Sequence, residues 1–215
     1  MYIRRMGKAT EVIRVTIADD HPVVCKGLAA IIQAELGMQV VGEASNGKQL
    51  LQMFRELQPD VALIDLRMPV MGGVEAVQAI RKEFPRAGII ILTTYQGDED
   101  IHRGLSAGAQ GYLLKGMPSH ELIEAIRNVH RGLRYLPQPV LDSLADRPPN
   151  SELSTRELQV LKLIVKGMSN KQIGEALGIS QSTVKWHVNI VLGRLNVSDR
   201  TGAAVTALRR GIVEL

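Results

Sequence analysis

Between residues 12 and 131 the chain alternates short apolar runs with segments whose apolar residues recur every three or four positions. The runs predict β-strands, and the segments predict amphipathic helices. The predicted strands are Val12–Ala18, Val40–Ala44, Val61–Asp65, Gly88–Thr93 and Gly111–Leu114. The predicted helices are Pro22–Leu36, Gly47–Leu57, Gly72–Phe84, Asp98–Ala107 and Ser119–Arg131.

Two of these strands, Val61–Ile64 and Ile89–Leu92, contain no polar residue. A strand without polar alternation is buried on both faces, as in a parallel sheet that helices cover. The pattern therefore predicts an α/β domain over residues 12–131, with a doubly wound, five-stranded parallel sheet. In such sheets the chemistry lies at the carboxyl ends of the strands.

The rest of the chain has a different pattern. Residues 132–150 contain four prolines, which predicts a linker, with a short helix near 139–145. Residues 151–215 show helical spacing and no strand pattern, so we expect a small all-α domain there. From residue 150 onwards nine Lys and Arg face five Asp and Glu, whereas residues 1–149 hold seventeen of each. This basic excess indicates either a nucleic-acid partner or a solvated lysine-rich surface.

Composition excludes several classes of protein. Cys25 is the only cysteine, which rules out an intramolecular disulfide and a zinc site built from several cysteines. It fits a reducing cytosol. No apolar run approaches the ~18 residues that span a bilayer, and no apolar stretch follows Arg4 and Arg5 as in a signal peptide. We therefore expect a cytoplasmic protein with no membrane partner.

Polar side chains follow four of the predicted strands. Asp19 and Asp20 follow the first, Asp65 ends the third, Thr93 ends the fourth and Lys115 follows the fifth. Parallel strands bring these ends to one edge, where carboxylates repel one another unless a cation such as Mg²⁺ lies between them. An Asp there can act as a nucleophile and form an acyl phosphate. The alternative, in which Asp65 caps a loop and pairs with Lys115, explains fewer of these groups.

The segments IADDHPVV, PDVALIDLRMPVMGG, IIILTTY and GAQGYLLKG resemble the receiver domains of bacterial two-component response regulators. DDHPVV and VVGEASNG are most similar to the NarL/FixJ branch of that family. The resemblance covers residues 12–131 and implies a flavodoxin/CheY-like fold. It also implies phosphorylation by a partner sensor histidine kinase.

The same resemblance implies roles for the acidic residues. Asp65 is the implied phosphoacceptor. Mg²⁺ is the implied cofactor, bound by Asp20 with Asp19 close by, by Asp65, and by the backbone carbonyl of Arg67.

It also implies a switch. Thr93 and Lys115 are implied to contact the acyl phosphate, and Tyr112 is the implied aromatic that turns inward when the Thr93 hydroxyl moves toward the phosphoryl group. Thr94 competes for the hydroxyl role, but the family's spacing to the lysine favours Thr93. A lone strand tyrosine also fits a half-buried structural position.

Residues 170–194 carry the pattern of a helix-turn-helix. Residues spaced to face one core are Ile173, Leu177, Val184, Val188 and Val191. Gly178 stands where a tight turn needs positive φ, Gly174 is small enough for a close approach, and Ser180 is a candidate N-cap.

The second helix of such a motif enters the major groove. The DNA-contacting candidates are Lys171 in the first helix and Ser182, Thr183, Lys185, Trp186 and Asn189 in the second. Lys185 suits a phosphate or guanine, Asn189 suits adenine, and Ser182, Thr183 and Lys171 suit phosphates. Trp186 either touches a thymine methyl or packs on the protein surface. The alternative is a helical bundle with a solvated polar face.

Residues 153–208 look like the four-helix LuxR/GerE-type module, which implies binding to double-stranded DNA. Asn189 departs from the basic residue of many relatives, so the bases that are read stay open. The last helix, Arg200–Arg210, is similar to the one that dimerises such modules. Its three alanines, Ala203, Ala204 and Ala207, would permit close helix packing.

The sequence thus predicts a regulator rather than an enzyme: a DNA-binding response regulator, phosphorylated on Asp65, that forms a homodimer on activation and controls transcription. An aspartyl-phosphate phosphatase is disfavoured because Arg67 stands where such enzymes carry a second acid. A sensor of a hydrophobic ligand is disfavoured by an aromatic content of 3%. A receiver that dimerises without phosphate remains an alternative.

Overall fold

The computed structural model describes residues 12–94, 97–145 and 152–213. Its strands are β1 (Ile13–Ala18), β2 (Met38–Ala44), β3 (Val61–Ile64), β4 (Gly88–Thr93) and β5 (Gly111–Leu114). Its first five helices are α1 (Pro22–Gln33), α2 (Gly47–Leu57), α3 (Gly73–Glu83), α4 (Asp98–Ser106) and α5 (Ser119–His130). The others are α6 (Gln138–Ala145), α7 (Thr155–Val165), α8 (Asn170–Leu177), α9 (Gln181–Leu195) and α10 (Arg200–Arg209).

The five strands form one parallel sheet in the order β2-β1-β3-β4-β5. This is the doubly wound order that the alternating pattern predicts, with β1 and β3 as neighbours at the point where the strand order reverses. Ala18 at the end of β1 pairs with Ile64 at the end of β3. The residues that follow these two strands therefore lie side by side.

The sheet is covered on both faces, as its apolar runs predict. Every residue of β3 and β4 is buried. Alternate strand residues pack with Ala29 and Ile32 of α1 and with Ile126 and Val129 of α5 in one core. Burial of both faces removes the strands from water and leaves only their ends for polar chemistry.

Helix α1 is shorter than its apolar spacing predicts. It ends at Gln33, and Leu36 beyond it is 93% exposed. Gly37, at a φ of +83°, lies in the turn that leads to β2. Spacing alone did not locate this end, because Leu36 matches the period without reaching the core.

The predicted linker is partly tied to the sheet. The amide of Tyr112 donates to the carbonyl of Tyr135 at 3.1 Å, and the amide of Tyr135 donates to the carbonyl of Gln110 at 3.0 Å. A short helix, α6, follows where one was predicted. Residues 146–150 of the predicted linker lie outside the described residues.

Two compact units form, one from residues 12–94 and 103–138 and the other from 97–102 and 139–213. The second contains the four predicted helices α7 to α10. In this unit Arg210 donates to the Asp98 carboxylate from Nε at 2.8 Å and from Nη2 at 2.7 Å, and both side chains are buried. No helix in the described ranges is long and apolar enough to cross a membrane.

Candidate functional site

The polar strand ends meet at one edge of the sheet. The amide of Asp65 donates to the carbonyl of Ala18 at 2.8 Å, which extends the pairing of β1 and β3 by one step. The amide of Lys115 donates to the carbonyl of Thr93 at 2.7 Å and does the same for β4 and β5. These backbone hydrogen bonds thus fix the positions of the Cα atoms that carry the Asp65 and Lys115 side chains.

Two buried carboxylates share one ammonium group at this edge. Lys115 Nζ lies 2.6 Å from Asp19 Oδ2 and 3.1 Å from Asp65 Oδ2. The Asp19 and Asp65 side chains are only 2% and 6% exposed, so water screens their charges little. The sequence predicted that these three groups would converge, and they do.

The net negative charge at this edge favours the binding of a divalent cation. Ligand atoms of Asp19, Asp20, His21 and Asp65 all lie within 4.8 Å of one another. Three carboxylates against the one ammonium of Lys115 leave a net charge of −2 in this group when His21 is neutral. Carboxylate oxygens in this number and spacing fit Mg²⁺, which binds proteins through one or two carboxylates and keeps several waters.

Burial affects the pKa of Asp65 and that of Lys115 in different ways. It raises the pKa of the Asp65 carboxyl, and the hydrogen bond and charge of Lys115 offset only part of that rise. Burial alone would lower the pKa of the Lys115 ammonium, but its hydrogen bonds to Asp19 and Asp65 outweigh this and raise that pKa. Lys115 therefore stays protonated, and Asp65 is the group whose negative charge the fold disfavours.

His21 is part of this edge, which the sequence interpretation missed. Its Nδ1 lies 3.1 Å from Asp19 Oδ1 and 2.8 Å from Asp20 Oδ1, and its side chain is 68% exposed. Its amide also donates to Asp19 Oδ1 at 2.9 Å. The signal was its position directly after the two aspartates, where the chain turns into α1.

The remaining predicted receiver residues lie around the edge. Thr93 is fully buried whereas Thr94 is exposed, so Thr93 is the hydroxyl inside the fold. Tyr112 is also fully buried, in contrast to the half-buried alternative, and a Cβ added at Gly104 of α4 would lie 3.6 Å from its ring. Arg67 is half-buried in the loop after β3.

The loop after Asp65 depends on two backbone features that the motif did not reveal. A Cβ added at Gly73 would lie 2.3 Å from the Asp65 carbonyl oxygen, so only glycine lets α3 start this close to the phosphoacceptor candidate. Val70 has a φ of +69°, an unusual value for a β-branched residue. The loop is therefore held in a shape that its local preferences oppose.

The helix-turn-helix predicted for residues 170–194 is present in the second unit. Gly178 ends α8 at a φ of +65°, and Ser180 accepts a hydrogen bond from the amide of Thr183 at 3.1 Å, as a helix N-cap does. A Cβ at Gly174 would lie 2.8 Å from the carbonyl of Ile179. Glycine there permits the tight turn between the two helices.

One face of α9 points away from its core. Val184, Val191 and Leu195 are buried, whereas Ser182, Lys185, Trp186, Asn189 and Gly193 are exposed. At 3.6 residues per turn these five exposed positions occupy an arc of about 100°. We call this set the α9 stripe. Thr183 is half-buried at the start of the helix, and Lys171 is exposed near the start of α8.

The alanines of α10 do not form an outer face. Ala203 and Ala207 are fully buried in a cluster with Leu161 and Val191 of the same domain. The close helix packing that these two alanines permit is therefore found within the domain, whereas Ala204 is half-buried. Dimerisation through α10 stays a prediction. Val205 is the most exposed apolar residue on this helix, with an exposed fraction of 60%.

Two family descriptions match the chain, one for each part. Residues 15–127 match the response regulator receiver domain, and residues 151–207 match the bacterial regulatory proteins of the luxR family. The transcriptional regulatory protein LiaR of Bacillus subtilis is 41% identical over 209 residues, which cover 94% of this chain and 99% of that protein. The response regulator protein VraR of Staphylococcus aureus is 35% identical over 207 residues, with coverages of 94% and 99%.

A solved structure extends the likeness to the fold. RcsB from Salmonella enterica serovar Typhimurium, bound to promoter P1flhDC in the presence of phosphomimetic BeF₃⁻, is 26% identical and has a TM-score of 0.72. The match covers 90% of this chain and 97% of that one. With a receiver fold, a helix-turn-helix and relatives that match over nearly their whole length, this chain belongs to the DNA-binding response regulators of two-component systems that carry a LuxR-family domain.

Proposed function

We propose that a sensor histidine kinase phosphorylates Asp65, and that this modification controls dimerisation and the binding of α9 to promoter DNA. The observation that carries the proposal is the pair of buried carboxylates that share the Lys115 ammonium. A structural salt bridge needs one carboxylate and one ammonium. The third carboxylate, Asp20, leaves an excess of negative charge that a stable fold does not require.

The first step is attack of a carboxylate oxygen of Asp65 on the phosphorus of a phosphohistidine. A P–O bond forms as the P–N bond breaks, and the imidazole leaves with the electron pair of that bond. Lys115 holds three N–H donors, and once Asp65 carries the acyl phosphate the donor that pointed at its carboxylate is aimed at a phosphoryl oxygen. Thr93, at the end of the neighbouring strand, is the proposed hydroxyl partner of that oxygen.

The proposed metal ligands are Asp19, Asp20, Asp65 and the backbone carbonyl of Arg67. Mg²⁺ at this position would neutralise charge on the transferred phosphoryl group. His21 would have to release Asp19 Oδ1 or Asp20 Oδ1 before that oxygen could serve as a ligand. The chain itself positions the nucleophile and keeps Lys115 protonated.

The switch proposed for the receiver is two-state. Tyr112 is already fully buried in this structure, so movement of the Thr93 hydroxyl toward a phosphoryl group is proposed to stabilise that inward position and the receiver surface that accompanies it. The phosphorylated receiver then favours a dimer or releases the DNA-binding module. In a dimer two modules bind half-sites about 34 Å apart, or a multiple of that distance.

In the DNA-binding module, the α9 stripe is proposed to enter the major groove. Lys185 and Asn189 face base edges or phosphates there, and Ser182 and Thr183 face a phosphate near the start of α9. Lys171 on α8 holds a further phosphate. Because these contacts release counterions, affinity should fall steeply as salt rises.

The test compares two aspartates that flank the same strand. Asp65 follows β3, and Asp60 precedes it and accepts a hydrogen bond from the amide of Arg14 at 2.8 Å. The full chain, Asp65→Asn and Asp60→Asn are incubated with acetyl phosphate and Mg²⁺. Phosphate-affinity gels and intact mass then measure phosphorylation.

We expect the wild type and Asp60→Asn to gain one phosphoryl group and Asp65→Asn to gain none. Omission of Mg²⁺ should abolish labelling of the first two. Labelling of Asp65→Asn at the wild-type level would exclude Asp65 as the phosphoacceptor. Repeated turnover of a small phosphate ester would instead favour the phosphatase alternative.

A further inference from the structure

Trp186 is the one large apolar side chain on the α9 stripe. Its exposed fraction is 59%, so the indole does not pack into the domain that carries it. The sequence had left two roles open for this residue, contact with DNA and packing on the protein surface, and its exposure leaves most of the indole available to a partner. An aromatic side chain of this size buries much apolar area when it finds a partner.

Its neighbours on the stripe indicate which partner. Trp186 lies at one border of the arc, about 60° around the helix axis from Asn189 and about 100° from Lys185, and all three side chains are exposed. Trp186 and Asn189 are three residues apart, a rise of about 4.5 Å along the axis. An indole in this position therefore meets the same groove as the amide beside it.

His187 restrains the indole. The two rings meet edge to face, with centroids 4.8 Å apart and an interplanar angle of 68°. A ring that is already held loses less conformational freedom on binding than a free one. The indole is thus a partly preorganised apolar surface on an otherwise polar stripe.

We propose that Trp186 recognises thymine through its 5-methyl group, at or next to the base pair that Asn189 contacts. The major groove of unmodified DNA displays hydrogen-bonding groups and one apolar feature, the thymine methyl. The apolar body of an indole complements that methyl and none of the hydrogen-bonding groups. This inference rests on the proposed entry of α9 into the major groove and adds a base preference to it.

The experiment removes the methyl and the indole separately. A duplex is first selected from a random library with the full chain, beryllofluoride and Mg²⁺. Each thymine is then replaced singly by deoxyuridine, which lacks only the methyl. Fluorescence anisotropy of labelled DNA measures the affinity of the wild type, Trp186→Ala, Trp186→Phe and Leu36→Ala. Leu36 is the control, because it is an exposed apolar residue of the receiver, outside the DNA-binding module.

We expect one thymine per half-site at which deoxyuridine weakens wild-type binding about fourfold, the effect of one buried methyl group. Trp186→Ala should bind the duplex more weakly and lose this discrimination, whereas Trp186→Phe and Leu36→Ala should keep it. Trp186 is the only tryptophan in the chain, so its intrinsic fluorescence should change when the duplex is added.

Three results would overturn the inference while the DNA-binding role of α9 survives. They are equal affinity for all deoxyuridine duplexes, discrimination that persists in Trp186→Ala, and a fluorescence change that follows protein concentration without DNA. The second result would assign the preference to DNA shape, and the third would assign Trp186 to self-association. Failure of the wild type to bind any duplex would overturn both the inference and the proposed role of α9.

Discussion

The polar edge of the receiver sheet and the α9 stripe hold their functional side chains in opposite ways. At the edge, Asp19, Asp65 and Lys115 come from three strand ends, and the two carboxylates are buried, so each charge depends on the others. On the stripe, Lys185 and Asn189 come from one helix and are exposed. Changes at the edge should therefore disturb the fold, whereas changes on the stripe should disturb only the complex with DNA.

The largest effect is expected when the shared ammonium is removed. Lys115→Met leaves two buried carboxylates without their partner, which should lower the free energy of unfolding by about 3–5 kcal/mol. Urea unfolding at pH 7 measures the loss, and added Mg²⁺ should restore part of it. The exposed Lys82 on α3 is the control, and Lys82→Ala should change stability little. A loss that Mg²⁺ does not reduce would contradict the proposed metal site.

Two glycines test the same comparison, because substitution by alanine should lower stability at one of them and raise it at the other. Gly73→Ala forces a Cβ to 2.3 Å from the Asp65 carbonyl oxygen, which should lower stability by about 1–3 kcal/mol. A Cβ at Gly193 on the stripe meets no atom within 4 Å, so Gly193→Ala should raise stability by up to about 1 kcal/mol. Thermal unfolding of both variants measures the contrast. Equal effects would show that the two regions do not differ in packing.

On the stripe, Lys185→Ala should weaken DNA binding without a change in thermal stability. If Lys185 contacts a phosphate, the slope of log K against log salt should become shallower by about 0.9. If it contacts guanine, specificity at one position should relax by about 1–3 kcal/mol. Anisotropy titrations at several salt concentrations distinguish the two. Lys162→Ala, an exposed lysine on α7, is the control, and unchanged affinity of Lys185→Ala would remove Lys185 from the interface.

The smallest expected effect is the pH dependence that the Asp65 carboxyl gives to the free energy of unfolding. It is small because Lys115 offsets part of the rise that burial causes in the pKa of Asp65. A folded-state pKa above the unfolded value means that the fold favours the protonated carboxyl. Wild-type stability should therefore decline as pH rises from about 4, the unfolded pKa, through the raised folded pKa. Asp65→Asn has no such proton and should not show this decline.

Urea unfolding over this pH range, without divalent cations, compares the two proteins. Glu124→Gln, which changes an exposed carboxyl on α5, is the control and should follow the wild type. Parallel curves for wild type and Asp65→Asn would contradict the assignment of this pH dependence to Asp65.

Much of the receiver fold followed from local pattern. The bounds of Gly47–Leu57, Gly88–Thr93 and Gly111–Leu114 were predicted as the structure has them. The apolar strands required burial on both faces, and that requirement leads to the doubly wound sheet. The end of α1 was not predictable, because periodicity does not show where a helix leaves the core.

The candidate site was predicted less evenly. Convergence of Asp19, Asp65 and Lys115 followed from parallel strands, since the carboxyl ends of such strands share an edge. His21 was missed because its contact with the carboxylates depends on the turn after β1. The burial of Ala203 and Ala207 was missed because small residues suit a helix contact within one chain as well as between two.

The sequence by itself determined the elements, the strand ends that carry charge, and the helix caps at Ser180 and Gly178. These features depend on interactions over a few residues, which local spacing encodes. Only the tertiary structure decided that one ammonium serves two buried carboxylates and that Trp186 stays exposed. Burial and charge sharing depend on which distant segments meet, and no short stretch of sequence contains that information.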